Sequence, residues 1–177
     1  MRYLIVVLFL FNFSVSHSQQ IVEDIGHYTV LSMPVIAGVK TLVDGDREGM
    51  FQLVKSFAVQ TGTTIGLKYL INRERPNGGD HSFPSGHSSL AFMSSTFMWK
   101  RYGWKWGVPA TIAAGYVGFS RAGTEDPVHF WGDVAAGALL GALSSYIFTT
   151  KRDDNLMISL RGDSRSAGIT ISYNLTN

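Results

Sequence analysis

Three short islands in the middle of this 177-residue chain carry residues that can do chemistry: Lys68 with Arg75-Pro76, Pro84-Ser85-Gly86-His87, and Ser120-Arg121 followed by His129 and Asp133. Two guanidiniums and an ammonium can neutralise a phosphate dianion, while two histidines can act as nucleophile and acid. A carboxylate at i+4 from the second histidine can meet it on one helix face and orient its ring. Together these groups are suited to metal-free phosphoryl transfer. Asp133 also interrupts the apolar stretch from Phe130 to Phe148, where an ionisable group is costly without a partner.

Taken singly, each island has a plainer explanation. Ser85 is a good helix N-cap, and Gly86 beside it lets an anion approach the free amides of the first turn. The same tetrapeptide would also serve as an ordinary capped helix with a solvent-facing histidine. Lys68 and Arg75 lie seven residues apart, close to two helical turns, so both could project from one face before Pro76 stops the helix. They could equally be a snorkelling lysine and a solvated charge at a helix C-terminus, which is how Arg73 is read. His17, His27 and His81 lack a comparable setting and are read as surface or leader residues.

The elements that must position these groups are helical. Polar or glycine-rich breaks at Asp44-Gly45-Asp46, Asn77 to Asp80, Tyr102-Gly103-Trp104 and Gly123 to Pro127 separate helical stretches over 27–43, 48–72, 86–101, 106–120 and 130–149. The simplest architecture is all-α, a compact bundle of five to six helices, with small residues such as Ala135-Ala136-Gly137 and Gly141-Ala142 letting backbones approach. Walked up and down, the bundle brings all three islands to one end. The other end receives Lys100, Arg101, Lys105, Lys151 and Arg152, where cytoplasmic positive charge belongs if the bundle spans a membrane.

Composition narrows the class. The chain is 45% hydrophobic and 16% charged, against roughly 25% charged in soluble domains, which points to a membrane or its surface. A net charge of +2 offers no basic stripe for nucleic acid. The absence of cysteine removes disulfides and thiolate chemistry. Residues 1–18 have the layout of a secretory signal peptide with a cut ahead of Gln19, the alternative being an uncleaved anchor. Residues 19–152 then form the helical domain. In the tail, 153–177, Ile169, Ile171, Tyr173 and Leu175 alternate with polar residues, and Leu156 to Leu160 could pair with them in a short β-hairpin looped by Arg161 to Ser166.

In combination the islands resemble the type 2 phosphatidic acid phosphatase and vanadium haloperoxidase superfamily, whose pattern is KxxxxxxRP, PSGH and SRxxxxxHxxxD. The first two motifs match fully. The third departs from it, because seven residues separate Arg121 from His129 where the family has five. A turn at Gly123 to Pro127 can absorb the extra length. The linker from Pro76 to Pro84 is short, which predicts a site without a large lid.

The resemblance implies that His129 attacks phosphorus and forms a phosphohistidine, that Asp133 orients it, and that His87 protonates the leaving group and later activates water. It implies that Lys68, Arg75 and Arg121, with Ser85 and the Gly86 amide, hold the non-bridging oxygens. No metal or cofactor is expected, with vanadate acting as a transition-state-mimic inhibitor. The expected reaction is hydrolysis of a phosphomonoester or pyrophosphate, with a lipid phosphate or small phosphoester as substrate, and the expected location is the cell envelope, with the active end facing the periplasm or exterior. Helices of about 15 residues, with Gln52, Lys55 and Gln60 inside one of them, sit awkwardly in a bilayer. Membrane-embedded and soluble periplasmic forms both stay open. Rival readings are a non-specific acid phosphatase, a vanadate-dependent haloperoxidase, and a non-catalytic protein that binds anionic head groups.

Overall fold

In the computed structural model the backbone of residues 2–152, 156–163 and 166–173 and the side chains of residues 19–152 are described. Five helices form: α1 (Arg2–Val43), α2 (Arg47–Ile71), α3 (Gly86–Tyr102), α4 (Trp104–Ala122) and α5 (Trp131–Phe148). The antiparallel strands β1 (Leu156–Asp163) and β2 (Ser166–Tyr173) follow. The helix boundaries fall within two residues of the sequence expectation except at the start of α1, which runs unbroken through Ser18-Gln19 from Arg2. The strands extend further than expected. Pairing that sets Ile158 opposite Ile171 and Leu160 opposite Ile169 continues to Asp163 opposite Ser166, so most of the expected loop is ladder. Leu175 lies outside the described residues.

α3 is the central helix and packs against all four others, most extensively α5. Glycine makes that contact possible. A Cβ at Gly137 would stand 2.3 Å from the Ser85 carbonyl oxygen, and one at Gly141 would stand 1.9 Å from that of Ser89. Two glycines four residues apart thus let the α5 backbone lie on the N-terminal half of α3, the close approach typical of small-residue helix pairs. Among the described residues most buried apolar side chains fall in two small clusters, Val30, Met33, Ala91, Ala114 and Val117, and Ala37, Leu53, Met93, Phe97 and Met98.

Much of the remaining described interior is polar. α2 buries Gln52, Ser56, Gln60 and Thr64, spaced at i+4 along one face, and exposes Phe51, Val54, Phe57, Val59 and Ile65. Gln60 Nε2 donates to Ser89 Oγ at 2.9 Å and to Thr64 Oγ1 at 3.1 Å, while Gln52 Nε2 donates to Thr150 Oγ1 at 2.8 Å. α1 and α5 likewise turn Leu31, Val35, Val39, Leu139, Leu143 and Ile147 outward.

At the end away from the three islands, Asp46 caps α2 by accepting the Gly49 N–H at 2.9 Å. It pairs with Arg101, whose Nε donates to Oδ2 at 2.8 Å, and accepts the Tyr102 hydroxyl at 2.8 Å. Arg101 is therefore buried, and Arg152 pairs with Asp44. Two of the five cations expected to face the cytoplasm instead close the bundle against their own carboxylates.

Candidate active site

The chain between α2 and α3 shapes the site. α2 ends at Ile71, and Asn72, in a left-handed conformation at φ 41°, donates its N–H to the Lys68 carbonyl at 3.0 Å. Asparagine tolerates that conformation because its short polar side chain costs little there. This corrects one expectation: Lys68 and Arg75 do not share a helix face, and Pro76 does not stop the helix. Arg75 is placed by its own turn, with its N–H donating to the Gly79 carbonyl at 2.6 Å and its Nε to that of Asp80 at 3.0 Å. Lys68 Nζ donates to the His81 carbonyl at 2.7 Å, which pins the loop over it.

Ser85 caps α3 as the sequence predicts, its Oγ accepting from Ser88 N at 3.4 Å and from Ser88 Oγ at 3.1 Å. Its amide is already engaged, donating to the Asp133 carbonyl at 2.9 Å, so the Pro84–His87 segment is tied to the first turn of α5. At Gly86 a Cβ would touch Lys68 Cε and Thr64 Cγ2 only at 3.8 Å. A Cβ would fit there in ordinary contact, so packing against Lys68 does not by itself require the glycine.

The longer connection from Arg121 to His129 closes on itself: the His129 amide donates to the Arg121 carbonyl at 3.0 Å. The extra residues therefore bulge outward without parting the two ends. Arg121 is buried, with NH2 donating to the Glu23 carbonyl of α1 at 2.7 Å and Nε to Ser120 Oγ at 3.3 Å.

Asp133 is fully buried and its carboxylate accepts three hydrogen bonds. Arg73 NH1 reaches Oδ1 at 3.0 Å, Ser82 Oγ reaches Oδ2 at 2.5 Å, and the Phe130 N–H reaches Oδ2 at 3.1 Å. His129 Nδ1 is 3.8 Å from Oδ2 and 3.3 Å from Ser82 Oγ. The serine hydroxyl has one proton, and the carboxylate takes it. Ser82 Oγ can then only accept from His129, which puts the imidazole proton on Nδ1 and leaves Nε2 with its lone pair.

Burial pushes the His129 pKa down, and the nearby charges of Arg75, Lys68 and Arg121 push the same way against Asp133, so it falls to about 4. At neutral pH the ring is an unprotonated base with a fixed tautomer. The same influences show that Lys68, Arg75 and Arg121 gather around His129, and Arg121, Arg75 and His129 around His87. All three islands thus meet at one end of the bundle.

Three further residues enter this site: Arg73 and His27, which the sequence places at a solvated helix end and on the surface, and Ser82, which no motif marks. Arg73 is not merely solvated, since it is the ionic partner of Asp133 and lies over the Phe130 ring at 4.3 Å. The left-handed turn at Asn72 sends it there. His27, on α1, has its Nδ1 3.1 Å from His87 Nε2. No local pattern marks these residues, which are defined by contacts across 47 to 60 positions of sequence.

Residues 77–157 match the family model of the PAP2 superfamily, a span that contains Pro84 to His87, Arg121, His129 and Asp133. Over that span the chain is similar to the type 2 phosphatidic acid phosphatases and their relatives. It is a phosphoric monoester hydrolase. A lipid A 4'-phosphatase of Helicobacter pylori is 27% identical over 149 residues, covering 77% of this chain and 74% of that one. A lipid A 1-phosphatase of the same organism is 28% identical over 145 residues, covering 73% and 71%. The crystal structure of Aquifex aeolicus LpxE superposes with a TM-score of 0.61 at 22% identity, over 79% of this chain and 92% of that one, a likeness of fold.

Proposed function

We propose that this chain hydrolyses a phosphomonoester carried by a lipid, through a phosphohistidine on His129, in the cell envelope. The observation that carries the reading is the Arg73–Asp133–Ser82–His129 chain of contacts, which leaves an unprotonated Nε2 beside three cations. Lys68, Arg75 and Arg121 hold the non-bridging oxygens, helped by the Ser85 hydroxyl and the Gly86 amide. His129 Nε2 bonds to phosphorus as the bond to the leaving oxygen breaks, and His87 gives that oxygen a proton. His87 then takes a proton from water as the water attacks phosphorus, the P–N bond breaks and phosphate departs. Three side-chain cations supply the charge neutralisation, so turnover needs no metal.

A lipid substrate is favoured by the inverted polarity of the bundle. Helices that bury Gln, Ser and Thr and turn Val, Ile, Leu and Phe outward are suited to hydrocarbon outside and hydrogen bonding within. Gln52 and Gln60, awkward in a bilayer when read from sequence, face inward, and α5 is long and apolar enough to cross a membrane. Lys55, exposed two turns from the start of α2, can snorkel to the interface. The names of the relatives, lipid A 1- and 4'-phosphatase, point to a phosphomonoester on a lipid-anchored sugar as one substrate class. Export is part of the same reading. Cleavage ahead of Gln19 spares the hydrogen bonds that α1 makes through the carbonyls of Val22 and Glu23.

The test is phosphate release from p-nitrophenyl phosphate, phosphatidate, undecaprenyl pyrophosphate and lipid A, in excess EDTA, by wild type and His129→Ala. Turnover that survives EDTA and is lost in the variant is expected. Saturable head-group binding without turnover on any substrate would refute the catalytic assignment, and recovery of the protein in a carbonate-extracted supernatant would refute the membrane placement.

A further inference from the structure

α1 presents three residues on one face at the mouth of the site: Glu23, Gly26 and His27, at i, i+3 and i+4. The Glu23 carbonyl accepts from Arg121 NH2 at 2.7 Å. Gly26 seats on the end of α4, where a Cβ would lie 2.0 Å from Ser120 Oγ, so only glycine lets α1 come this near. The two contacts deliver His27 to His87. His27 Nδ1 stands 3.1 Å from His87 Nε2, with ring centroids 5.4 Å apart. His27 is exposed and His87 half-buried. His87 Nδ1 has no hydrogen-bond partner among the described residues.

We propose that His27 is the positioning residue of His87: it engages Nε2, sets the tautomer, and leaves Nδ1 as the nitrogen that exchanges a proton with the substrate. This rests on His87 acting as the acid in the reaction above. Burial and the charges of Arg121 from α4, His129 ahead of α5 and Arg75 from the loop after α2, none of them a carboxylate, push the His87 pKa down to about 4. Its imidazolium therefore forms against the phosphate dianion of bound substrate. In its acid form His87 bears a proton on each nitrogen. Nε2–H donates to His27 Nδ1, and His27 is a neutral imidazole with its own proton on Nε2. When the phosphorus–oxygen bond breaks, the Nδ1 proton passes to the leaving alkoxide. His87 is then neutral, still held by His27 through Nε2–H, and Nδ1 is a base that takes the proton of the water attacking the phosphohistidine. The imidazolium is restored and the proton count closes.

Leaving-group dependence tests this, because a p-nitrophenolate departs with little need of a proton whereas an alkoxide requires one. Wild type, His27→Ala, His27→Asn and His87→Ala are compared on p-nitrophenyl phosphate and a short-chain phosphatidate. We expect His27→Ala to lose about 10-fold more kcat on phosphatidate than on p-nitrophenyl phosphate, part of the 10²- to 10⁴-fold typical of general acid–base catalysis. His27→Asn, which offers an amide oxygen near the place of Nδ1, should recover part of that difference. Equal losses on both substrates, or no loss on phosphatidate, would overturn the proposal while His87→Ala still discriminates between them. If His87→Ala shows no discrimination, the acid assignment fails and the role of His27 falls with it.

Discussion

His129 and Asp133 lie one turn apart yet share no direct hydrogen bond: Nδ1 and Oδ2 are separated by 3.8 Å, and the hydroxyl of Ser82 stands between them, 3.3 Å from the one and 2.5 Å from the other. The Asp133 carboxylate therefore reaches the histidine through a serine contributed by a different part of the chain. Ser82 is buried, its amide donating to the Arg73 carbonyl at 2.7 Å, so the bridge is held in place by the same loop that brings Arg73 to Asp133.

Removing the bridge should impair chemistry more than binding. Ser82→Ala leaves His129 without a partner at Nδ1, and kcat should fall about 10- to 100-fold, on the scale of losing one member of an oriented acid–base system, with KM changed little. Rapid-quench measurement of the phosphoenzyme checks it: the rate of its formation should fall in step with kcat. A rise in KM with kcat intact would place Ser82 in binding.

Arg73 touches Asp133 through a single NH1 contact at 3.0 Å, and its side chain is 44% exposed. Solvent screening of the arginine holds the stability cost of Arg73→Gln to about 1 kcal/mol. Because the contact is not bidentate, Arg73→Lys should recover most of the activity that Arg73→Gln loses. Comparing kcat for the two variants alongside thermal unfolding in detergent separates the charge from the fork geometry.

The depressed pKa of His129, about 4 against an ordinary 6.5, has two consequences of the same sign. Between those values the unfolded chain binds a proton that the folded chain does not, so this residue makes stability rise with pH from 4 to 6.5 and become level above it. In the same way the free-enzyme limb of kcat/KM assigned to His129 should fall only below about pH 4. Denaturant midpoints across pH 4 to 7 for wild type and His129→Asn check the first, with the variant losing part of the slope. A kcat/KM limb near 6.5 would contradict the second.

The buried Asp46–Arg101 pair closes the bundle at the end opposite the site. Although burial alone pushes Asp46 up, hydrogen bonds from Arg101, Gly49 and Tyr102 bring its pKa down to about 2. Arg101→Met removes the cation and leaves the carboxylate unpaired, at a cost of about 3–5 kcal/mol. A large drop in melting temperature at pH 7 is expected, and it should shrink as the pH falls toward 2 and the carboxylate becomes neutral. Asp46→Asn in the Arg101→Met background should relieve part of the loss.

The all-α bundle and the set of groups at its active end are legible in the chain itself. Helical breaks, the Ser85 cap, and the types and order of Lys68, Arg75, His87, Arg121, His129 and Asp133 are local properties, written in turn residues, capping chemistry and motif spacing. Even the longer Arg121–His129 connection is readable as a turn that can absorb length. Other features depend on which helices touch. Arg73 and Arg75 differ by two positions in sequence, yet one pairs with Asp133 and the other folds back on Asp80, because a left-handed Asn72 ends α2 before either. Ser82 stands between His129 and Asp133 only because the loop before α3 is tied to α5 through Ser85 and the glycines of α5 allow that approach. His27 belongs to the site only because Gly26 lets α1 rest on Ser120. The residue types and their spacing define the chemistry the chain can offer, since reactivity follows from functional groups. The partners that set tautomer and charge were decided by tertiary packing, since hydrogen bonds and ion pairs act over a few ångströms of space, whatever the separation along the chain.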